Sequence, residues 1–442
     1  MTTKTDELKD VRLTVEEYVS NAIQKTGKTI EFWDQNTLKE FTLEALKISV
    51  QQATKSNFYQ ARFKEHNVNV ETFEDFEKLP FTYPFEIKNR LSDILAIEMD
   101  DVQQINMSSG TTGGPTTYIA YSQSDLNGDC AYYAPGGLFK FQRDELVFIA
   151  LPYEMATVGT SLHRDVRRQG AAILPAGKDG PYSSQERLIQ AIHDIRPTTL
   201  FSTPSYSYHL SEVYKETYPN DAISIKRVIV GGEGASQGMR ELLAKSWGAE
   251  VKQFYGSTEI GCIGYTCEHG HYHLTAGTAY LEIVNEKGQR VPDGEIGKVV
   301  LSTLGKVATP LIRYETGDIG LIETTPCECG RTLPFIRIYG RKDDQIINPK
   351  NGQYISPYAF ENVLLQTIPN SKPWYHVAIR KNGIYFVAEK PDISGADLQK
   401  AESKFKEIVS ERFSFEFDGI EWASEGTLDR PCTKVRRIKN EM

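Results

Sequence analysis

Between residues 146 and 330 the sequence alternates short apolar runs with stretches of helical spacing. Helical patterns cover residues 184–195 and 234–247, and each apolar run ends in a turn. Strands that alternate with helices indicate an α/β architecture built on at least one parallel sheet. Ligands of such sheets bind beyond the carboxyl ends of the strands, which is where these turns would lie. The apolar runs are LVFIALP, AAILPAG, TTLFSTP, RVIVGGE and EVKQFYG.

Three other regions have different patterns. Residues 5–65 are predicted to be mostly helical, since TLKEFTLEALKISVQQA has amphipathic helical spacing. YLEIVNEKGQRVPDGEIGKVVLSTL predicts short antiparallel strands joined by Gly and Asp turns. After GRKDDQI the pattern restarts as a small α+β unit. We therefore place a domain boundary near 341–345 and predict a large domain, residues 1–340, and a small one, residues 341–442.

Length and charge limit the possible functions. A chain of 442 residues is long enough for two or three units, and its net charge of −9 argues against a general nucleic-acid binder. The N-terminal residues are charged and resemble no signal peptide, and no apolar run is long enough to span a bilayer. We expect a cytoplasmic protein that binds neither nucleic acid nor membrane. Six cysteines in a chain of this length do not make a disulfide framework.

The loop MSSGTTGGPTTYI, residues 107–119, is rich in Gly, Ser, Thr and Pro. Its backbone N–H groups and hydroxyls suit an anion, yet no Gly-Lys-Ser/Thr closes it, so it is not a Walker A loop. A flexible surface turn is the alternative interpretation.

Three later turns carry further polar residues. VGGEGASQGM follows an apolar run, QFYGSTEIG places Glu259 where it could ligate a hard cation, and LIRYETGDIG contains Asp318, which could accept from two ribose hydroxyls. Each turn alone could equally be an ordinary connection between a strand and the next element.

The order of these motifs resembles that of the acyl-adenylating superfamily, which includes acyl-CoA synthetases, nonribosomal adenylation domains and luciferases. The series is SSGTTGGPT, GGE, YGSTE, RYETGD, GRKDD and the late Lys434, and the resemblance runs from about residue 55 to the C-terminus. The segments FYQARFKEHNVNVETFEDFEKLPFT and CECGRTLPFI, with the compact length, resemble the phenylacetate-CoA ligase branch. The implied fold is α/β: a large N-terminal adenylating domain with parallel-rich sheets and a small β-barrel-like part, plus a small mobile α+β C-terminal domain.

The resemblance implies a role for each matching residue. Thr258, Glu259 and Lys434 would be catalytic, with Glu259 holding Mg²⁺, and Asp343 would be the hinge. Gly352, in NGQYISP, would lie on the loop that reaches the coenzyme A tunnel. The implied ATP- and AMP-binding residues are Ser108, Ser109, Gly110, Thr111, Thr112, Gly232, Glu233, Gly234, Tyr255, Gly256, Ser257, Asp318 and Arg341.

Three positions depart from the family pattern. Gly114 stands where relatives often have Lys, and Asp429 and Thr433 replace the usual Pro and Gly of the stretch that ends in Lys434. A solvated basic tail is the alternative reading of that stretch. The segment IINPK before NGQYISP is about two residues longer than is typical of the branch.

The chemistry implied by the resemblance has two steps. A carboxylate oxygen attacks the α-phosphorus of ATP, which gives acyl-AMP and pyrophosphate, and a thiol, that of coenzyme A, then takes the acyl group. No protein nucleophile is needed, so positioning and charge neutralisation by Mg²⁺ and by Lys434 carry the first step.

Seven Cys and His residues form two groups about sixty residues apart, in CIGYTCEHGHYH and CECGR. Such groups can close a tetrahedral Cys₃His zinc site of purely structural function. The resemblance to the branch favours Cys267, His273, Cys327 and Cys329 as ligands. Reduced structural cysteines with surface histidines are the alternative.

The acyl pocket is expected to have aromatic walls from Tyr132, Tyr133 and Tyr153, although core packing is the commoner fate of such residues. With this branch, the lining predicts an aryl or arylacetic acid. Two alternatives stay open: a stand-alone adenylating enzyme that loads a carrier protein or an amine, and a non-catalytic scaffold. We also expect a homodimer.

Overall fold

The structure is a computed structural model that describes residues 11–66, 69–108, 116–127, 139–178, 180–275, 277–323, 325–430 and 434–442. The helices are α1 Val11–Thr26, α2 Gln35–Ala53, α3 Asn57–His66, α4 Phe73–Glu77, α5 Pro84–Ile87, α6 Leu91–Ile94, α7 Gln123–Asn127, α8 Thr157–Arg168, α9 Gln185–Ile195, α10 Pro204–Thr217, α11 Gln237–Trp247, α12 Pro357–Thr367 and α13 Gly395–Phe413. Short 3₁₀ turns lie at Ile30–Phe32, Met99–Asp101 and Lys342–Asp344.

The strands are β1 Gln104–Met107, β2 Tyr118–Tyr121, β3 Leu146–Ile149, β4 Ala172–Leu174, β5 Thr199–Ser202, β6 Arg227–Val230, β7 Glu250–Ser257, β8 Gly261–Thr266, β9 Tyr272–Leu274, β10 Ala279–Val284, β11 Gly297–Thr303, β12 Tyr314–Ile322, β13 Phe335–Arg341, β14 Ile346–Ile347, β15 Tyr354–Ile355, β16 Tyr375–Arg380, β17 Gly383–Glu389, β18 Gly419–Ala423 and β19 Ile438–Asn440. Each of the five apolar runs identified in the sequence forms one strand, β3 to β7, and the predicted α/β class is confirmed.

The chain divides into two compact units. The first consists of the described residues up to Gly177 and of Gln253–Arg337, and the second of Lys178–Lys252 and Ile338–Met442. The boundary between residues 340 and 341 stays a prediction from the sequence. No helix within the described ranges has the length and apolar composition needed to cross a bilayer.

The first unit begins with the predicted helices. Asp34 caps α2 by accepting from the N–H groups of Asn36 and Thr37, which satisfies two donors of its first turn. β3 and β4 pair in parallel, as expected for strands with a helix between them. β7, β8, β9 and β13 pair antiparallel in that order, and β10, β11 and β12 form the antiparallel meander predicted from the Gly and Asp turns.

The second unit contains the parallel pair β5 and β6, with α9, α10 and α11 along the same stretch of chain. All four residues of β5 are buried, including the polar Thr199 and Ser202 at its two ends, as expected for a parallel strand inside a sheet. The C-terminal part is α+β as predicted: a sheet of order β18-β17-β16-β19 shares one hydrophobic core with α12 and α13. Phe360, Phe386 and Phe405 are fully buried at its centre.

Candidate active site

The Gly/Thr-rich loop connects two paired strands in the first unit. β1 and β2 are antiparallel, with Met107 opposite Tyr118. At the next position the Ser108 N–H donates to the Thr117 carbonyl at 3.0 Å, and the Thr117 N–H lies 3.4 Å from the Ser108 hydroxyl. Ser108 is therefore held where the loop begins. The rest of the predicted anion cradle, Ser109, Gly110, Thr111, Thr112, Gly113 and Gly114, lies outside the described residues.

The Thr258–Glu259 turn follows β7, as the sequence predicts. β7 pairs with β8, and the register shifts between Tyr255 and Gly256. A Cβ at Gly256 would lie 2.7 Å from the Gly261 carbonyl oxygen, so only glycine fits this close approach. These contacts place the half-buried Thr258 and Glu259 in a tight turn directly beyond the strand.

Two side chains outside the sequence motifs donate hydrogen bonds to the backbone of this turn. The Tyr121 hydroxyl donates to the Thr258 carbonyl at 3.2 Å, and the Lys306 ammonium group donates to the Glu259 carbonyl at 3.3 Å. The same ammonium group lies 4.3 Å from the centre of the Tyr121 ring, a cation–π distance. A buried lysine inside the apolar stretch LGKVATPLI is the signal that could have identified Lys306.

Tyr255 and Asp318 lie together, although 63 positions separate them in the chain. The Tyr255 hydroxyl donates to the Asp318 carboxylate at 2.5 Å, and the Asp318 N–H donates to the Thr316 hydroxyl at 3.0 Å. β12 carries Asp318 and β7 carries Tyr255. The bond orients the carboxylate, whose two oxygens can each accept more than one hydrogen bond.

In the second unit the GGE turn follows β6. Gly232 has a φ of +80°, a conformation that favours glycine, and Ser236 caps α11 by accepting from the Met239 N–H. A Cβ at Gly234 would lie 2.5 Å from the ring of Tyr358, so that ring packs directly on the turn. The Glu233 carboxylate accepts from the Ser205 hydroxyl at 2.7 Å.

The remaining predicted residues of the second unit are exposed. Lys434 follows the undescribed residues 431–433 and precedes β19. Arg341 directly precedes the 3₁₀ turn that contains Asp343. Gly352 has a φ of +74° in the loop between β14 and β15, and its N–H donates to the Asn348 carbonyl at 2.8 Å. This left-handed position explains the glycine.

A sequence profile of the AMP-binding enzyme family matches residues 28–307, which is more than half of the chain. The chain belongs to this family. A phenylacetate-coenzyme A ligase of Thermus thermophilus is 30% identical over 392 residues, 86% of this chain and 85% of the relative. The phenylacetate-coenzyme A ligase of Escherichia coli is 29% identical and covers 74% of this chain and 75% of its own.

A solved structure agrees with this assignment at the level of fold. It is a 2-hydroxyisobutyryl-CoA ligase, with a TM-score of 0.82 at 20% identity over 93% of this chain and 91% of its own. The predicted superfamily and its phenylacetate-CoA ligase-like branch are therefore confirmed. So is the activity class: this member of the AMP-binding enzyme family is an AMP-forming acid–thiol ligase, which activates an acid with ATP and forms a thioester with coenzyme A.

Of the three tyrosines predicted for the acyl pocket of this AMP-binding enzyme, the structure describes Tyr153 only, since Tyr132 and Tyr133 lie outside the described residues. The Tyr153 hydroxyl lies 3.4 Å from Nδ1 of His163, and burial raises the pKa of Tyr153 above its usual value. A Cβ at Gly159 would lie 3.0 Å from the Tyr153 ring, which packs tightly on α8. Tyr153 is thus a fixed, neutral aromatic group.

The two Cys/His groups meet in the first unit. One ligand atom each of Cys267, His273, Cys327 and Cys329 lies within 4.8 Å of all the others, and this is the set that the sequence favoured. The sulfurs of Cys267 and Cys327 are 3.8 Å apart, and Nε2 of His273 is 3.3 Å from the Cys329 sulfur. A tetrahedral ion with bonds of about 2.3 Å to sulfur requires sulfur atoms about 3.8 Å apart. The arrangement therefore fits zinc.

The other nitrogen of the His273 ring lies 3.1 Å from the Leu333 carbonyl oxygen. Donation from Nδ1 to a carbonyl fixes the tautomer that leaves Nε2 free to bind a metal ion. Burial lowers the pKa of His273, which also favours the neutral imidazole. Cys262, which the sequence placed in the same group, does not belong to this set.

Proposed function

We propose that the acid activated by this ligase is an aryl or arylacetic acid. The observation that carries the proposal is that relatives aligned over 74–86% of the chain are phenylacetate-coenzyme A ligases. The half-buried Tyr153 supports it, since an aromatic wall favours a flat apolar substrate over a short polar one.

In the first step a carboxylate oxygen of the acid forms a bond to the α-phosphorus of ATP, and the bond from that phosphorus to the bridging oxygen breaks. Pyrophosphate leaves with the electron pair. Asp318, oriented by Tyr255, accepts from the ribose hydroxyls, and Lys434 neutralises charge on the reacting phosphate. Thr258 donates to the α-phosphate.

Three further groups would bind the nucleotide. The backbone of Gly232, Glu233 and Gly234 lines the adenine, Arg341 assists at the ribose, and the loop that begins at Ser108 holds the β- and γ-phosphates. Glycines in this loop allow the phosphates to approach the backbone closely.

Glu259 is the residue proposed to hold Mg²⁺. Its carboxylate is the hard oxygen ligand that this ion prefers, and the bond from Lys306 to the Glu259 carbonyl fixes the backbone that carries it. Mg²⁺, when bound, would neutralise phosphate charge. This contribution matters here because position 114 is glycine and supplies no positive charge.

In the second step the thiol of coenzyme A gives up its proton to solvent and its sulfur bonds to the acyl carbon. The bond from that carbon to the phosphate oxygen breaks, and AMP leaves with the electron pair. We place Gly352 on the loop that approaches the thiol and Asp343 at the hinge about which residues 341–442 rotate between the steps. The exposed 3₁₀ turn at Asp343 and the left-handed glycine at 352 support these roles.

Zinc is proposed as a structural ion on Cys267, His273, Cys327 and Cys329. Four protein ligands leave no position for a reacting water. The ion would join the turn before β9 to the loop before β13, two segments about sixty residues apart.

Pyrophosphate release across a panel of carboxylic acids, with and without coenzyme A, tests the function. We expect release with aryl and arylacetic acids and formation of the corresponding thioester. Acid-dependent release without thioester would instead indicate a carrier protein or an amine as acceptor. Absence of release with every acid would favour a scaffold and overturn the proposal. The homodimer and the cytoplasmic location remain predictions from the sequence.

A further inference from the structure

The Glu233 side chain joins two segments of the second unit. One carboxylate oxygen accepts from the Ser205 hydroxyl at 2.7 Å and lies 3.4 Å from the Ser205 N–H, at the start of α10. The other oxygen accepts from the backbone N–H of Val435 at 3.2 Å. Val435 directly follows Lys434. A single side chain thus connects the GGE turn to the segment that carries the proposed catalytic cation.

The first of these contacts makes Glu233 a rigid anchor. The first turn of a helix has N–H groups without helical partners and a positive end of its dipole, and both stabilise a carboxylate there. Glu233 has one oxygen in this position, at the second residue of α10. Its second oxygen is consequently held in a fixed place to accept from Val435.

On its other side the Lys434 segment is fixed at Arg437. The guanidinium group is buried, pairs with Glu361 at 3.2 Å and donates to the carbonyls of Pro373 and Tyr375. The Arg437 carbonyl accepts from the Val377 N–H at 2.7 Å. These contacts fix the backbone at residue 437, and the bond to Glu233 fixes it a second time at Val435, next to Lys434.

We propose that the Glu233 carboxylate is a positioning residue for Lys434: through the Val435 N–H it fixes the backbone next to the lysine for acyl-adenylate formation. This inference rests on the proposed role of Lys434 in the first step. This role of the Glu233 side chain is separate from the adenine contact that we propose for the backbone of the GGE turn. The second step does not use Lys434, so it does not need this bond.

The test compares the two half-reactions in Glu233→Ala. The first is acid-dependent pyrophosphate release, and the second is thioester formation from chemically prepared phenylacetyl-adenylate and coenzyme A. We expect kcat of pyrophosphate release to fall by about 10- to 100-fold, because a small misplacement of a catalytic group lowers the rate by that factor. The KM for ATP and the rate of the second should stay within about two-fold, since neither depends on the Lys434 position.

A parallel fall in both half-reactions, or a rise in the KM for ATP that matches the loss, would overturn the inference in favour of adenine binding. Glu233→Gln keeps one oxygen that can accept from Val435, so it should retain most of the activity. If Glu233→Ala does not fold, Ser205→Ala supplies the comparison of the two half-reactions. Ser205→Ala removes the hydroxyl that donates to Glu233 at 2.7 Å but keeps both carboxylate oxygens, so its loss should also be confined to the first half-reaction.

A double-mutant cycle with Lys434→Ala gives the second readout. If Glu233 acts through Lys434, the Glu233→Ala change should cause no further loss of adenylation in the Lys434→Ala background. Losses that multiply would show an independent role and overturn the inference. A wild-type enzyme that releases no pyrophosphate with any acid would instead refute the proposed function itself.

Discussion

The hydroxyl of Tyr255 donates a 2.5 Å hydrogen bond to the carboxylate of Asp318, so two motifs far apart in the chain form one pair. The pair predicts that Tyr255→Phe weakens ATP binding, because Asp318 loses the group that orients it. Hydrogen bonds to charged groups contribute about 1.5–3 kcal/mol, which corresponds to roughly 10- to 100-fold in kcat/KM for ATP. Steady-state pyrophosphate release measures this value.

Tyr265→Phe is the matched control for this change, since Tyr265 is a buried tyrosine on β8 that packs near Phe139. It should leave the KM for ATP unchanged. Equal values of kcat/KM for wild type and Tyr255→Phe would show that the bond has no part in nucleotide binding.

Lys434→Ala should abolish most of the adenylation activity. Removing one group that stabilises developing charge costs about 10²- to 10³-fold in kcat. Thioester formation from prepared acyl-adenylate should persist, because that step releases AMP and does not build the bond to phosphorus. Arg436→Ala, a neighbouring exposed cation, is the control. If the two variants lost equal activity, this basic segment would act through its overall charge.

Purified protein should contain about one zinc per chain, as expected for a site with four protein ligands. Cys329→Ser should lose the ion and lower the melting temperature, whereas Cys262→Ser should keep it. Cys262 is a buried cysteine of the same sequence group that lies outside the cluster, which makes it a matched control. Metal analysis by mass spectrometry measures the content. A wild-type protein that contains no zinc, and whose melting temperature does not change when zinc is added, would refute the site.

The sequence predicts the parts of this molecule that local pattern determines. Strands β3 to β7 follow from apolar runs, and α2 and α11 from spacing and capping residues. Glu259 is located by its motif, because the turn after a strand is a local feature. The contacts between Tyr121 and Thr258 and between Glu233 and Val435 span 137 and 202 positions. They depend on register and packing, which no local pattern records, so sequence reasoning did not find them.

The buried pair of Glu361 and Arg437 predicts a large loss of stability in Arg437→Ala. Both side chains are almost inaccessible, and Glu361 also accepts from the Ser236 hydroxyl at 2.8 Å. Removing one partner leaves the other charge buried without its counter-ion, at a cost of about 3–5 kcal/mol. Urea denaturation measures the change. The exposed pair of Lys439 and Asp429 is the control, and Lys439→Ala should stay within about 1 kcal/mol of wild type. Similar losses in both variants would contradict the argument.

His376 predicts that part of the stability is lost in mild acid. The ring is buried on β16, and burial, together with the nearby Lys439 charge, lowers the pKa of His376 below its ordinary value. The folded chain therefore keeps this ring neutral where the unfolded chain binds a proton, so the free energy of unfolding falls as the pH drops below about 6.5. In His376→Gln this contribution is absent. The melting temperature of the wild type minus that of the variant should consequently decrease as the pH falls from about 7.5 to about 5.5. A difference that is constant or increases would contradict the assignment.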